Sequence, residues 1–242
     1  MKTLSFLLVA AAFAVGCNQS PTAKVGGTGG GTAKDGKASE GASAVPTVPS
    51  DYKHDAFQLN GFDRDKPLKY DFVQVVGESP KSGSQSCVLK SVDDKGARYT
   101  IKRGEALEAI GDEELLVNAG GVYLVSTSLG SPKEPVLLMP AKVGVGTVWD
   151  YDYVLTMQSG DSLTFKGKAK VEKDEKIKVP AGEYDCILVS ETASMDRGGN
   201  KGTVSSKTWW SKGTGVVKMK MEVKDAKGKI VASTIELAGT GG

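Results

Sequence analysis

Few residues in this sequence are of a type that does chemistry. Among 242 residues there is one histidine, His54, and there are three cysteines, Cys17, Cys87 and Cys186. A Ser-His-Asp or Cys-His catalytic system therefore has only His54 to draw on. It sits in Asp51-Tyr52-Lys53-His54-Asp55, where the aspartates invite a metal. Zinc, however, needs about four donors in set geometry, and the segment supplies no second fixed ligand. Calcium loops of the Asp-x-Asp-x-Asp-Gly type are absent. Carboxylates gather at Asp93-Asp94 and Asp112-Glu113-Glu114. Glycosidic chemistry requires two of them across one cleft, whereas Gly and Lys neighbours place these on surface turns. The expectation is a protein with no catalytic residue, no metal and no cofactor.

The two domain cysteines, Cys87 and Cys186, lie in apolar strand contexts and leave two readings open. In an oxidising compartment they pair, closing a loop of ~100 residues that contributes up to ~4.7 kcal/mol in the chain-entropy model. Otherwise they are two buried thiols. No Cys-x-x-Cys occurs, so thiol redox catalysis has no support. Aromatic residues are the other unusual group: Trp149, Trp209 and Trp210, with Tyr151 and Tyr153. Adjacent Trp209 and Trp210 must point to opposite faces of a strand. One packs in the core, and the other forms an outer contact surface that is either covered or open to lipid, glycan or protein.

Charge is nearly balanced, 31 basic against 29 acidic residues, and the lysines are spread along the chain. Nucleic-acid binding needs basic residues gathered on one face, so no nucleic-acid partner is expected. Met1-Lys2 followed by the uncharged run Leu4 to Val15 has the layout of a secretory signal peptide. As a helix that run spans roughly 18 Å, short of the roughly 30 Å hydrocarbon core of a bilayer. Ala14-Val15-Gly16-Cys17 resembles the lipobox of bacterial lipoproteins, with Ala14 standing where Leu, Val or Ile is commoner. The resemblance implies diacylglycerol and palmitate-type acylation on Cys17, and Asn18 after it implies sorting to the outer membrane, facing the periplasm or the cell surface. Several acyl chains at ~0.8 kcal/mol per buried methylene hold such an anchor durably.

From Asn18 to about Ser50 the composition falls to Gly, Ala, Ser, Thr, Lys and Pro. With almost nothing apolar to bury, ordering entropy is not recovered and a disordered tether follows, with a reach of about 30 Å. The organisation read from sequence is thus a signal peptide over 1–16, a lipidated cysteine and tether over 17–50, and a single domain over 51–242.

The domain's periodicity is two. Tyr151, Tyr153, Leu155 and Met157 alternate with Asp152, Val154, Thr156 and Gln158. Ser159-Gly160-Asp161 turns the chain into Leu163, Phe165, Gly167, Ala169 and Val171. Val217, Met219, Met221 and Val223 alternate with Lys218, Lys220, Glu222 and Lys224, and Asp225-Ala226-Lys227-Gly228 leads into a last strand. Alternation punctuated by Gly, Asp and Ser marks a hairpin meander. No window keeps a helical apolar stripe; the nearest, Arg103 to Val117, is broken by Gly111. The fold class read here is all-β, an antiparallel curved sheet forming a half-barrel or barrel of about ten or eleven strands, with little helix.

Three phrases in the second half carry a resemblance: Val145-Gly146-Thr147-Val148-Trp149, Val179-Pro180-Ala181-Gly182-Glu183-Tyr184-Asp185-Cys186, and Trp209-Trp210-Ser211-Lys212-Gly213-Thr214-Gly215-Val216-Val217-Lys218. Together, over roughly Lys142 to Lys224, they resemble the TapB-like bacterial envelope proteins, with Trp210 where Tyr or Phe is commoner. That group is similar in architecture to half-barrel lipoprotein carriers. The implied function is a non-enzymatic cell-envelope lipoprotein, attached to the membrane through lipid on Cys17. Its domain binds an envelope protein or an apolar ligand such as lipid, in a cavity lined by residues such as Phe165, Met219 and Met221. The alternatives are a structural or assembly lipoprotein acting only through protein contacts, or a carboxylate-based hydrolase.

Overall fold

The computed structural model describes residues 46–74 and 79–241. The signal peptide, Cys17 and most of the tether lie outside the described residues. Val48 already packs against the core, so the domain begins a few residues before Asp51. A short helix comes first, α1 (Asp55–Asn60), and thirteen strands follow: β1 (Leu68–Val73), β2 (Lys81–Asp93), β3 (Gly96–Glu105), β4 (Glu113–Asn118), β5 (Gly121–Thr127), β6 (Gly130–Pro132), β7 (Val136–Pro140), β8 (Val148–Met157), β9 (Ser162–Val179), β10 (Gly182–Arg197), β11 (Asn200–Ser211), β12 (Gly215–Lys224) and β13 (Ile230–Thr240).

All pairings are antiparallel. The strands run in the order β4-β3-β2-β1-β13-β12-β11-β10-β9-β8-β6-β5, and β4 pairs with β5 to close a twelve-stranded barrel. The thirteenth strand, β7, hangs on β5. The barrel is closed rather than half-open, and closure pairs away most of the sheet edges that otherwise invite pairing with other chains, leaving those at β7 and the lower part of β8. The count exceeds ten or eleven because β6 and β7 are only three and five residues long, too short to show a period.

Alternation builds the interior as read. On β12, Val217, Met219 and Met221 are buried while Lys220 and Glu222 are exposed. On β9 and β8 the inner rows are Leu163, Phe165, Ala169 and Val171, and Trp149, Tyr153 and Leu155. The phrase Val179 to Gly182 forms the turn between β9 and β10, and its tip is tied to β13 by a hydrogen bond from the Ala181 N–H to the Leu237 carbonyl, 3.1 Å.

The helix α1 was not legible, being one and a half turns long. His54 caps it: its Nδ1 accepts from the Phe57 N–H at 3.2 Å and its Nε2 lies 2.9 Å from the Asn118 carbonyl. One neutral tautomer, with the proton on Nε2, satisfies both bonds. The lone histidine is therefore a structural cap. Gly61 ends the helix at φ +63°; a Cβ there would sit 2.7 Å from the Thr214 carbonyl oxygen, so a side chain is excluded twice over. Arg64 reaches that same carbonyl at 2.8 Å, and Lys212 bonds Asp55 at 2.8 Å. These ties seat buried Ala56, Phe57 and Leu59 against β5, β11 and β12.

The barrel wall has one seam. β8 pairs with β6 only over Leu155–Met157. Below that, β8 runs beside β7 with no ladder between them. Among the described residues no helix is long and apolar enough to cross a membrane.

Candidate functional site: the barrel interior behind the seam

Side chains fill most of the lumen. Phe165, Met219 and Met221 are all buried, at 4%, 6% and 5% exposure. Among the described residues two small cavities stand out, of about 70 Å³ and about 40 Å³. They meet at Leu138, Met139, Thr208 and Trp210, which line both. Ligand pockets for drug-sized molecules measure roughly 300–1,000 Å³, so no room exists for an acyl chain. Of the three residues expected to line a carrier cavity, Met219 lines the larger of these two, and Phe165 and Met221 line neither. The room is small because the inner rows carry large Met, Phe, Trp and Leu side chains that interdigitate.

Each cavity has a carboxyl at its wall. In the larger one Glu113, at the start of β4, pairs with Arg103 of β3 at 3.1 Å, and the two side chains are 6% and 8% exposed. All three Arg103 nitrogens are engaged: Nη2 with Glu113, Nε with Gln85 at 3.2 Å, Nη1 with the Gly111 carbonyl at 2.6 Å. A buried ion pair offsets its desolvation only with such complete bonding.

The smaller cavity is lined by Trp149, Tyr151 and Tyr153 of β8, Trp210 of β11, and Glu191 of β10. Tyr151 donates its hydroxyl proton to Glu191, and the Ser206 hydroxyl lies 3.4 Å from the other carboxylate oxygen. Burial raises the Glu191 carboxyl above the ordinary range, against the lowering effect of these two hydroxyls. The Tyr151 phenol is raised by burial and then by the Glu191 charge; Tyr153 is raised by burial, by Glu191 and by Glu113. Among the described residues no lysine or arginine forms an ion pair with Glu191. Gly167 on β9 makes the arrangement sterically feasible: a Cβ there would lie 2.4 Å from the Tyr151 ring. Tyr151 also neighbours Tyr153 at 5.9 Å between centroids, and Tyr153 stacks on Phe165 at 5.2 Å. Tyr151, Glu191 and Ser206 face inward yet keep partial exposure.

The residues singled out from sequence fall as follows. Trp210 is in the core and lines both cavities, while Trp209 faces outward. The outer tryptophan is largely covered: its Nε1 donates to Glu175 at 2.7 Å, and the Lys218 ammonium lies 6.0 Å from its ring centroid. Cys87 on β2 and Cys186 on β10 stand as free thiols with four strands between them in the sheet order. Burial raises them to about 12 and about 11, which leaves both unreactive. No cluster of three or more His, Cys, Asp and Glu able to hold a metal occurs among the described residues. Asp93 caps its own turn by accepting from the Lys95 and Gly96 N–H groups, as a surface acid should. Glu113 departs from the surface-turn expectation, and Glu191 went unnoticed. Both sit on the inward parity of their strands, Glu113 with Leu115 and Val117, Glu191 with Val189 and Ala193, and that parity was the signal.

Comparison with known proteins agrees with the fold. A DUF3108-like family model matches residues 157–237, the stretch from the end of β8 to β13. It overlaps the region of the TapB-like resemblance under a different family description. A Bacteroides fragilis protein described as exported, with a YmcC-like fold, superposes with a TM-score of 0.51 at 11% identity, covering 73% of this chain and 95% of its own. A Parabacteroides distasonis protein described as a lipoprotein gives 0.49 at 15% identity, covering 73% and 94%. YmcC of Escherichia coli K12, described as a lipoprotein, gives 0.36 at 10%, covering 78% and 91%. The likeness to the first is one of fold. No curated protein matches the chain.

Proposed function

We propose that this protein is a non-enzymatic lipoprotein of the cell envelope, acylated on Cys17 and held at the outer membrane. Its barrel binds a small molecule in the chamber behind β7 and β8. The observation that carries the reading is the inward-facing, half-buried Glu191 carboxyl at the wall of an aromatic cavity, with no lysine or arginine paired to it among the described residues. Perturbed carboxyls in cavities cluster at functional sites. The size of the chamber limits the ligand to a few heavy atoms, and the TapB-like kinship of the second half belongs with this reading.

Native mass spectrometry of gently purified protein tests it. The expected result is a bound mass well below that of a phospholipid, released on denaturation and lost in Ala169→Phe, which fills the chamber. A bound phospholipid, or an identical apo mass for both forms, overturns it. The anchor is tested by Cys17→Ser: loss of membrane fractionation and of the acyl mass is expected, and unchanged fractionation and mass would refute lipidation. A protein partner on the outer face is a second reading, favoured by exposed Val145, Val148 and Val154 on and before β8. Val154→Asp should then release any crosslinked partner, and retention would count against it.

A further inference from the structure

The chemistry of the chamber narrows its ligand class. Four aromatic residues wall it, two tryptophans and two tyrosines, and aromatic rings attract cations through their quadrupoles, most strongly where water is excluded. Glu191 stands among them with hydroxyl partners only. A carboxylate largely withdrawn from water without a counter-charge is disfavoured, and the group that would relieve it is positive.

An anion finds no such welcome. Arg103 is the one cation lining either cavity, and its three nitrogens are already bonded to Gln85, Gly111 and Glu113. An acyl chain or a sugar ring is too large for cavities of about 40 Å³ and about 70 Å³. The larger cavity, which adjoins through Thr208 and Trp210, is mainly apolar, with Ile101, Leu115, Met219 and Ile235 on its walls. A charged head beside Glu191 and a tail of two or three carbons toward those residues match the two chambers. The seam between β7 and β8, which carries no ladder, lies beside the aromatic chamber: Leu138 and Met139 line it from one strand and Trp149, Tyr151 and Tyr153 from the other.

We propose that the chamber binds a small aliphatic ammonium ion, its head held by the Glu191 carboxylate and the rings of Trp149, Tyr151, Tyr153 and Trp210. This rests on the small-molecule reading above and adds the ligand's charge and size. Carboxylate and rings together hold the cation, so loss of the charge on either partner should cost at least about tenfold in affinity.

The test is a tryptophan-fluorescence titration of the full chain carrying Trp209→Phe, which leaves Trp149 and Trp210 as reporters. The probes are n-propylammonium chloride and its neutral counterpart 1-propanol, against sodium chloride. The expected result is a saturable change with propylammonium, at least about tenfold weaker with propanol, and a fall of the ammonium to the propanol level in Glu191→Gln. The near-UV circular dichroism and the propanol response of that variant show that its fold is kept. Equal affinity for the two probes overturns the ammonium class while leaving a small-molecule chamber. No saturable change with either removes the chamber reading as well. Free ethanolamine, run separately, should give the same saturable change, whereas a response to phosphatidylethanolamine vesicles alone would mean a surface contact and overturns the chamber site.

Discussion

Two carboxyls face the inside of this barrel, Glu113 buried and Glu191 half-buried, and they are treated differently. Glu113 is met by a guanidinium whose every nitrogen is bonded. Glu191 is met by a tyrosine and a serine. The first arrangement is complete within the chain and locks β3 to β4 beside the Gly111 turn. The second leaves an acid at the wall of an aromatic chamber, with no cation paired to it among the described residues. Burial alone therefore does not mark a binding site; in the reading proposed above, the missing counter-charge does.

The comparison breaks most readily on the paired side. Arg103→Met leaves the Glu113 carboxylate buried without its cation, and unfolding in urea should show a loss of ~3–5 kcal/mol. A loss below ~1 kcal/mol would mean that Glu113 reaches water and that the two sites are alike.

On the unpaired side the sharpest steric test is Gly167→Ala, whose Cβ meets the Tyr151 ring. The expected cost is ~1–3 kcal/mol, with the near-UV signal of the tyrosines altered. An unchanged spectrum and stability would show that Tyr151 does not lie over that glycine.

The smallest effect is expected from Glu191→Gln, which keeps size and hydrogen bonding. Its sign depends on pH. Burial raises the folded carboxyl, so the native protein has its full stability below the ordinary carboxylate range, ~4.3, and loses some as pH climbs toward the raised value. The amide has no such slope. The variant should therefore gain on the native protein in urea unfolding as pH rises above about 4. A parallel pair of curves would show that the hydroxyls already compensate the charge.

How much of this was legible in the sequence depends on strand length. The hairpins from β8 to β13 were plain because Tyr151 to Met157 and Val217 to Val223 alternate over whole strands, and Ser159-Gly160-Asp161 marks the turn between β8 and β9. The 106–140 region was not. A single 3-10 turn at Ala106–Ala109 and strands of three and five residues carry too few side chains to show a period. Helix α1 hid because its six residues carry too few side chains to show a period and derive their stability largely from β5, β11 and β12, which are distant in sequence. Strand parity alone puts Trp209 and Trp210 on opposite faces without saying which is inward, and the cover of Trp209 by Glu175 and Lys218 follows only once β9 and β12 are placed. Glu191 was overlooked because a single acid in an apolar row reads as a slip in the pattern. Its inward parity with Val189, Ala193 and Met195 was present all along, and only the ring of strands shows which cavity it faces.

The most direct measurement is the titration of the Glu191 side-chain carboxyl carbon by nuclear magnetic resonance, alone and with propylammonium. Burial without a counter-charge predicts a midpoint above the ordinary carboxylate range in the free protein, moving down when the ammonium is added. A midpoint in the ordinary range that ignores the ammonium would contradict both the uncompensated carboxyl and the site built on it.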